Sequence, residues 1–157
     1  MAVHERTDCS HLIIMTIAVS RELVWRCLTN SELLKQWYSQ DPWRVTRAEL
    51  DVRTGGQQVI TIAGPDGKSQ TIVEVFLEVV EGEKLVLTDA FSQAWIPALT
   101  ASKVTEICLE SVAKGTRLQV SVSCWNQLDS APLHQHFEEG WRQAVDRISE
   151  VSRGLFL

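Results

Sequence analysis

Few residues in this chain have types and spacings suited to chemistry. His134 and His136 form an H-x-H pair, which invites a metal reading. Their surroundings read as helix, where positions two apart point about 200° from each other, so the two imidazoles cannot share one ion. They read instead as half-exposed helix histidines. His4 lies in a polar N-terminal stretch and His11 opens a strand. Cys9, Cys27, Cys108 and Cys124 stand singly, without the short paired spacing of a zinc site. Free, mostly buried thiols are the better reading. No metal and no cofactor is expected. The chain contains no G-x-S-x-G, Walker or H-E-x-x-H pattern, so those nucleophile, phosphate-loop and zinc mechanisms have no footing.

Six ionisable residues, Asp51, Arg53, Glu74, Glu78, Glu106 and Glu110, fall on or beside strands. A carboxylate turned into a cavity would have its pKa shifted by burial and could do acid–base work. On the solvated face of a sheet it would do neither. Nothing in the sequence singles out one of the six, so no catalytic residue is assigned. Arg53 reads as an anchor at a turn. The aromatic residues say more. Trp37, Trp43, Phe91, Trp95, Phe137 and Trp141 are spread over several elements, and "AFSQAWIPAL" (90–99) is too apolar for an idle connection. Such a loop either packs down as a lid or presents a contact patch.

The elements that position these residues follow from periodicity. "SHLIIMTIAV" (10–19) reads as a first strand. Ser20 caps a helix carrying Leu23, Val24, Cys27 and Leu28 on one face, and Asn30 caps a second carrying Leu33, Leu34, Trp37 and Tyr38. Pro42 ends that pair. From Trp43 to about Trp125 the period is two, punctuated at Gly55-Gly56, "GPDG", "EGE" and "KGT". The runs "QQVITIA", "SQTIVEVFLEVV", "KLVLTDA", "SKVTEICLESV" and "TRLQVSVSCW" are expected as strands joined mainly by hairpins. Residues 132–154 return to helix, with Leu133, Phe137, Trp141, Ala144, Ile148 and Val151 as its apolar stripe. Gly140 lies on that stripe. A mid-helix glycine costs about 1 kcal/mol relative to alanine, so it should serve either a close helix–sheet approach or free volume for a ligand.

This order of elements, with these residues, resembles the helix-grip superfamily of START domains and polyketide cyclases. More narrowly it resembles the branch related to the activator of the heat-shock chaperone ATPase. The resemblance is carried by "SRELVWRCLTNSELLKQWY", "DVRTGG", "PDGK", "EKLVLTDAF", "KGTRLQVSVS" and "HFEEGWRQAVDRI", and it spans roughly residues 11–151. It implies an α+β fold: a curved antiparallel sheet of about six or seven strands around a long C-terminal helix, two short helices after the first strand, and a cavity between sheet and helix. A single domain over residues 1–157 is expected, with 1–9 as a disordered tail.

In that architecture Trp37, Trp43, Phe91, Trp95, Phe137, Gly140 and Trp141 are the expected ligand-binding residues around the cavity. The function expected is non-catalytic binding of a hydrophobic small molecule. Two alternatives stand beside it: a chaperone-associated interaction module, and a cyclase- or hydrolase-like enzyme, which would need a buried titratable group. A net charge of −5 argues against a nucleic-acid or anionic-membrane partner, since both need a basic footprint. No run reaches about 18 apolar residues, so no membrane span is expected. The polar N-terminus lacks a secretory apolar region, and a cytoplasmic location is expected. Homodimerisation through a sheet edge or the apolar loop is compatible with the pattern.

Overall fold

A computed structural model describes residues 10–39, 42–99, 103–124 and 130–155, with only the backbone of 130–136. His4, Cys9 and Trp125, the expected N-terminal tail, and the side chains of Leu133, His134 and His136 lie outside the described residues.

Strand β1 (Ser10–Ile17) leads into two short helices, α1 (Arg21–Thr29) and α2 (Ser31–Trp37). Both begin where the sequence places a cap. The Ser20 hydroxyl accepts the Leu23 N–H, and the Asn30 side chain accepts the N–H groups of Glu32 and Leu33. Asn30 also closes α1 through its own backbone N–H to the Arg26 carbonyl, so the two helices join without a linker.

Six further strands complete the main sheet: β2 (Arg44–Leu50), β3 (Gln57–Ala63), β4 (Ser69–Val80), β5 (Lys84–Thr88), β8 (Lys103–Val112) and β9 (Gly115–Cys124). Between β5 and β8 a small hairpin of β6 (Phe91–Gln93) and β7 (Ile96–Pro97) stands apart. The seven strands run in the order β1-β9-β8-β5-β4-β3-β2, with every neighbouring pair antiparallel. At the β3–β4 turn Asp66 and Gly67 both take left-handed backbone, with φ of 65° and 71°, the pairing an Asp-Gly turn favours. Helix α3 (Ser130–Gly154) follows β9.

The α+β architecture, with a seven-stranded antiparallel sheet, two short helices after the first strand and a long C-terminal helix, is therefore the one the sequence implied. The core lies between the helices and one face of the sheet. Val24, Cys27, Leu34, Ile60, Phe76, Leu118, Val120 and Ile148 are buried there in one cluster. Trp37 joins it and donates its indole N–H to the Cys27 carbonyl at 2.7 Å. The Cys27 thiol meets the Ser152 hydroxyl at 3.3 Å, tying α1 to the end of α3.

A bulge in β4 decides which acidic residues enter that core. Phe76 pairs with Leu87, whereas Glu78 pairs with Val86, so β4 advances two residues while β5 advances one. The phase of the strand reverses there. Glu74 therefore points inward and Glu78 outward, although residues four apart in an unbroken strand share a face.

Candidate functional site

A pocket of about 470 Å³ opens between the inner face of the sheet and α3. Most of its wall is apolar. Leu28 and Leu34 come from α1 and α2, Leu85, Leu87, Ile107 and Val122 from the sheet, and Phe137 and Ala144 from α3. The rings of Trp37 and Trp141 lie 6.4 Å apart on this wall, and Gly140 precedes Trp141 there. Phe137 is in turn 5.2 Å from the His11 ring.

Four of the residues expected from sequence are thus brought together: Trp37, Phe137, Gly140 and Trp141. The other three lie elsewhere. Trp43 packs flat on the backbone of Gly64, where an added Cβ would stand 2.7 Å from the indole. It borders a second, polar depression with Lys35, Arg44 and Arg147. Phe91 and Trp95 belong to the β6–β7 hairpin, stacked edge-to-face at 5.5 Å. Trp95 is 54 % exposed and sits at the hairpin turn with φ 63°. That hairpin is held to the sheet by the Gln57 amide, which donates to the Ser92 carbonyl, and its Ala94 lies near the Gly55 turn, where an added Cβ would stand 3.5 Å from the Ala94 methyl.

One stretch of the wall is polar. Tyr38, Gln58, Glu74, Lys103 and Thr105 contribute to it. Gln58 and Glu74 are direct cross-strand partners, and both are buried. Glu74 is only 7 % exposed. Desolvation drives its pKa upward, Asp89 pushes the same way, and Lys103 opposes them. The Tyr38 hydroxyl is also raised, first by burial and then by the nearby Glu74 charge.

The other five ionisable strand residues sit in exposed ion pairs. Arg53 holds Asp51 at 2.8 Å, Lys84 lies between Glu78 and Glu106, and Arg117 approaches Glu110. Such exposed pairs contribute little to stability. Glu74 is the one among the six that the fold buries, and Tyr38 is the pocket residue that periodicity had placed merely on an apolar helix face. Among the described residues no three His, Cys, Asp or Glu side chains converge as a metal site, and no helix is long and apolar enough to cross a membrane.

Seven antiparallel strands in this order, two short helices and a long C-terminal helix with a pocket beneath it define a helix-grip protein. Residues 18–153 match the family described as Activator of Hsp90 ATPase homolog 1-like protein. The chain belongs to that family. Solved structures share its fold. A protein from Nitrosomonas europaea is 28 % identical, with a TM-score of 0.86 over 92 % of this chain and 94 % of that one. A protein from Staphylococcus aureus is 22 % identical, with a TM-score of 0.75 over 94 % of each chain. An AHSA1-like protein from Aeromonas hydrophila is 18 % identical, with a TM-score of 0.73 over 93 % of each chain. No match to a curated protein was found.

Proposed function

We propose that this protein binds a hydrophobic small molecule, without catalysis, in the pocket between the sheet and α3. The observation that carries the reading is the pocket itself: about 470 Å³, with a mainly apolar wall and a confined group of polar side chains. That volume and composition fall within the usual range for small-molecule sites. In this reading Trp37, Phe137 and Trp141 contact the ligand body, and Gly140 keeps a turn of α3 from occupying its space.

The test is a thermal-shift screen of delipidated protein against fatty acids, sterols, aromatic polyketides and flavonoids. A ligand at about 100 times its Kd stabilises by about 2.7 kcal/mol, which for a chain of this size is a rise of roughly 5–10 °C. A rise confined to one chemical class supports the reading and names the class. A flat response across the panel counts against it. It would shift weight to the interaction reading that the family's name suggests, for which the exposed Trp95, Ile96 and Leu99 supply an apolar surface.

A further inference from the structure

We infer that Tyr38 and Glu74 act as a pair of hydroxyl donors at the polar part of the pocket, and that together they take the carbonyl oxygen of an otherwise apolar ligand. The inference rests on the pocket being a ligand site and specifies the class of ligand: a ketone or related carbonyl on an aromatic or alicyclic body.

Three observations carry it. The two groups come from different elements, Tyr38 from the end of α2 and Glu74 from the middle of β4, and both line the same pocket. Glu74 is more than nine-tenths buried, and no hydrogen bond from a described residue reaches its carboxyl or the Tyr38 hydroxyl. Both side chains line the pocket, so a molecule that enters it is placed to take up their hydrogen-bonding capacity. The remaining polar side chains of the wall are also donors. Lys103 offers an ammonium, which only donates, while the Gln58 amide and the Thr105 hydroxyl can each donate or accept.

A neutral carboxyl adds its O–H to this set, whereas an ionised one would be acceptor-only. Burial and the adjacent Asp89 favour the neutral form, and Lys103 is the opposing charge. A cationic amine is a poor fit, because Lys103 faces the same space. An acceptor oxygen has two lone pairs and can take the Tyr38 and Glu74 hydroxyls together, and the apolar remainder of the wall disfavours a ligand with several polar groups.

The test compares 2-acetylnaphthalene with 2-ethylnaphthalene, which has the same ring system but no oxygen, by calorimetry on the intact protein. The ketone should bind roughly tenfold tighter or more, the value of one well-made hydrogen bond at a desolvated site. Its carbonyl stretching band should lie below its position in hydrocarbon solvent. Tyr38→Phe and Glu74→Leu should each remove most of the preference and return the band upward. Glu74→Gln keeps an N–H donor and should retain part of the preference.

In the wild type the preference should decline as pH rises through the Glu74 titration, with Tyr38, Asp89 and Lys103 as the other titratable groups facing it. Glu74→Gln should abolish that decline. Tyr38→Phe and Glu74→Gln are near-isosteric, and their melting curves report whether folding is intact. Equal binding of the two probes with an unshifted carbonyl band overturns the inference and leaves the binding proposal standing. A preference that none of these variants alters also overturns it. Failure of both probes to bind overturns the inference, whereas the binding proposal falls only with a flat response across the wider panel.

Discussion

Gly140 gives the sharpest perturbation. It lies in the interior of α3 and on the pocket wall, so its absent side chain serves either close packing or open volume. Replacing it with alanine should stabilise the helix by about 1 kcal/mol on propensity alone. Replacing it with leucine adds an apolar side chain where there is room for one, since the pocket measures about 470 Å³. Burying a leucine contributes roughly 1.5–3 kcal/mol, and ordering its rotamers costs about 0.5–1 kcal/mol. The net expectation for Gly140→Leu is a gain of roughly 1–3 kcal/mol, or a Tm higher by about 2–10 °C. Its affinity for 2-acetylnaphthalene should fall tenfold or more at the same time, because the side chain occupies ligand space. Gly140→Ala should bind almost as the wild type does. Thermal unfolding by circular dichroism and calorimetric titration read the two quantities separately. If both variants lose roughly 1–3 kcal/mol, the cost of overpacking, then Gly140 permits a close approach and the reasoning from free volume is refuted.

Other expectations follow from single contacts. Burial holds the Glu74 carboxyl above its ordinary value of 4.5, so above that pH the folded protein keeps a proton that the unfolded chain releases. Stability should then fall as pH rises from that value toward the folded pKa, by up to about 1.4 kcal/mol per pH unit. Glu74→Gln should melt higher than the wild type at pH 7, with the difference closing near pH 4; a difference independent of pH would argue that Glu74 is not held protonated. Trp37→Phe removes the buried hydrogen bond to the Cys27 carbonyl and should cost about 1–3 kcal/mol in urea denaturation. Asn30→Ala removes a side-chain oxygen that accepts two N–H groups of α2 and should cost about 1 kcal/mol by the same measurement.

Much of the fold is legible in the sequence because local signals agree with tertiary packing. Ser20 and Asn30 mark helix starts, and "QQVITIA" and "SQTIVEVFLEVV" coincide with β3 and β4. Strand β2 is harder to see: in "RVTRAEL" only Val45, Ala48 and Leu50 are apolar, and the register shifts between Val45 and Arg47. The β6–β7 hairpin is hidden in a run of mixed residues, where Trp95 takes a left-handed φ that no residue type announces. Glu74 is obscured for a different reason. Its strand is apolar on both faces around it, so alternation does not reveal which face is inner, and the bulge after Phe76 separates it from Glu78. Periodicity identifies Tyr38 only as one more apolar position on α2. Its proximity to Glu74 is a tertiary fact, created where the end of α2 meets the inner face of the sheet.

The central claim is that a ligand enters beneath α3 rather than resting on the exposed hairpin. The most direct measurement is the indole N–H region of a heteronuclear NMR spectrum, assigned by single tryptophan substitutions and recorded while 2-acetylnaphthalene is added. Trp37 and Trp141 line the pocket, whereas Trp43 and Trp95 do not. Binding at the proposed site predicts saturable shifts of the Trp37 and Trp141 signals together, with those of Trp43 and Trp95 nearly still. Shifts confined to Trp95, or none among the four at saturating probe, would contradict it.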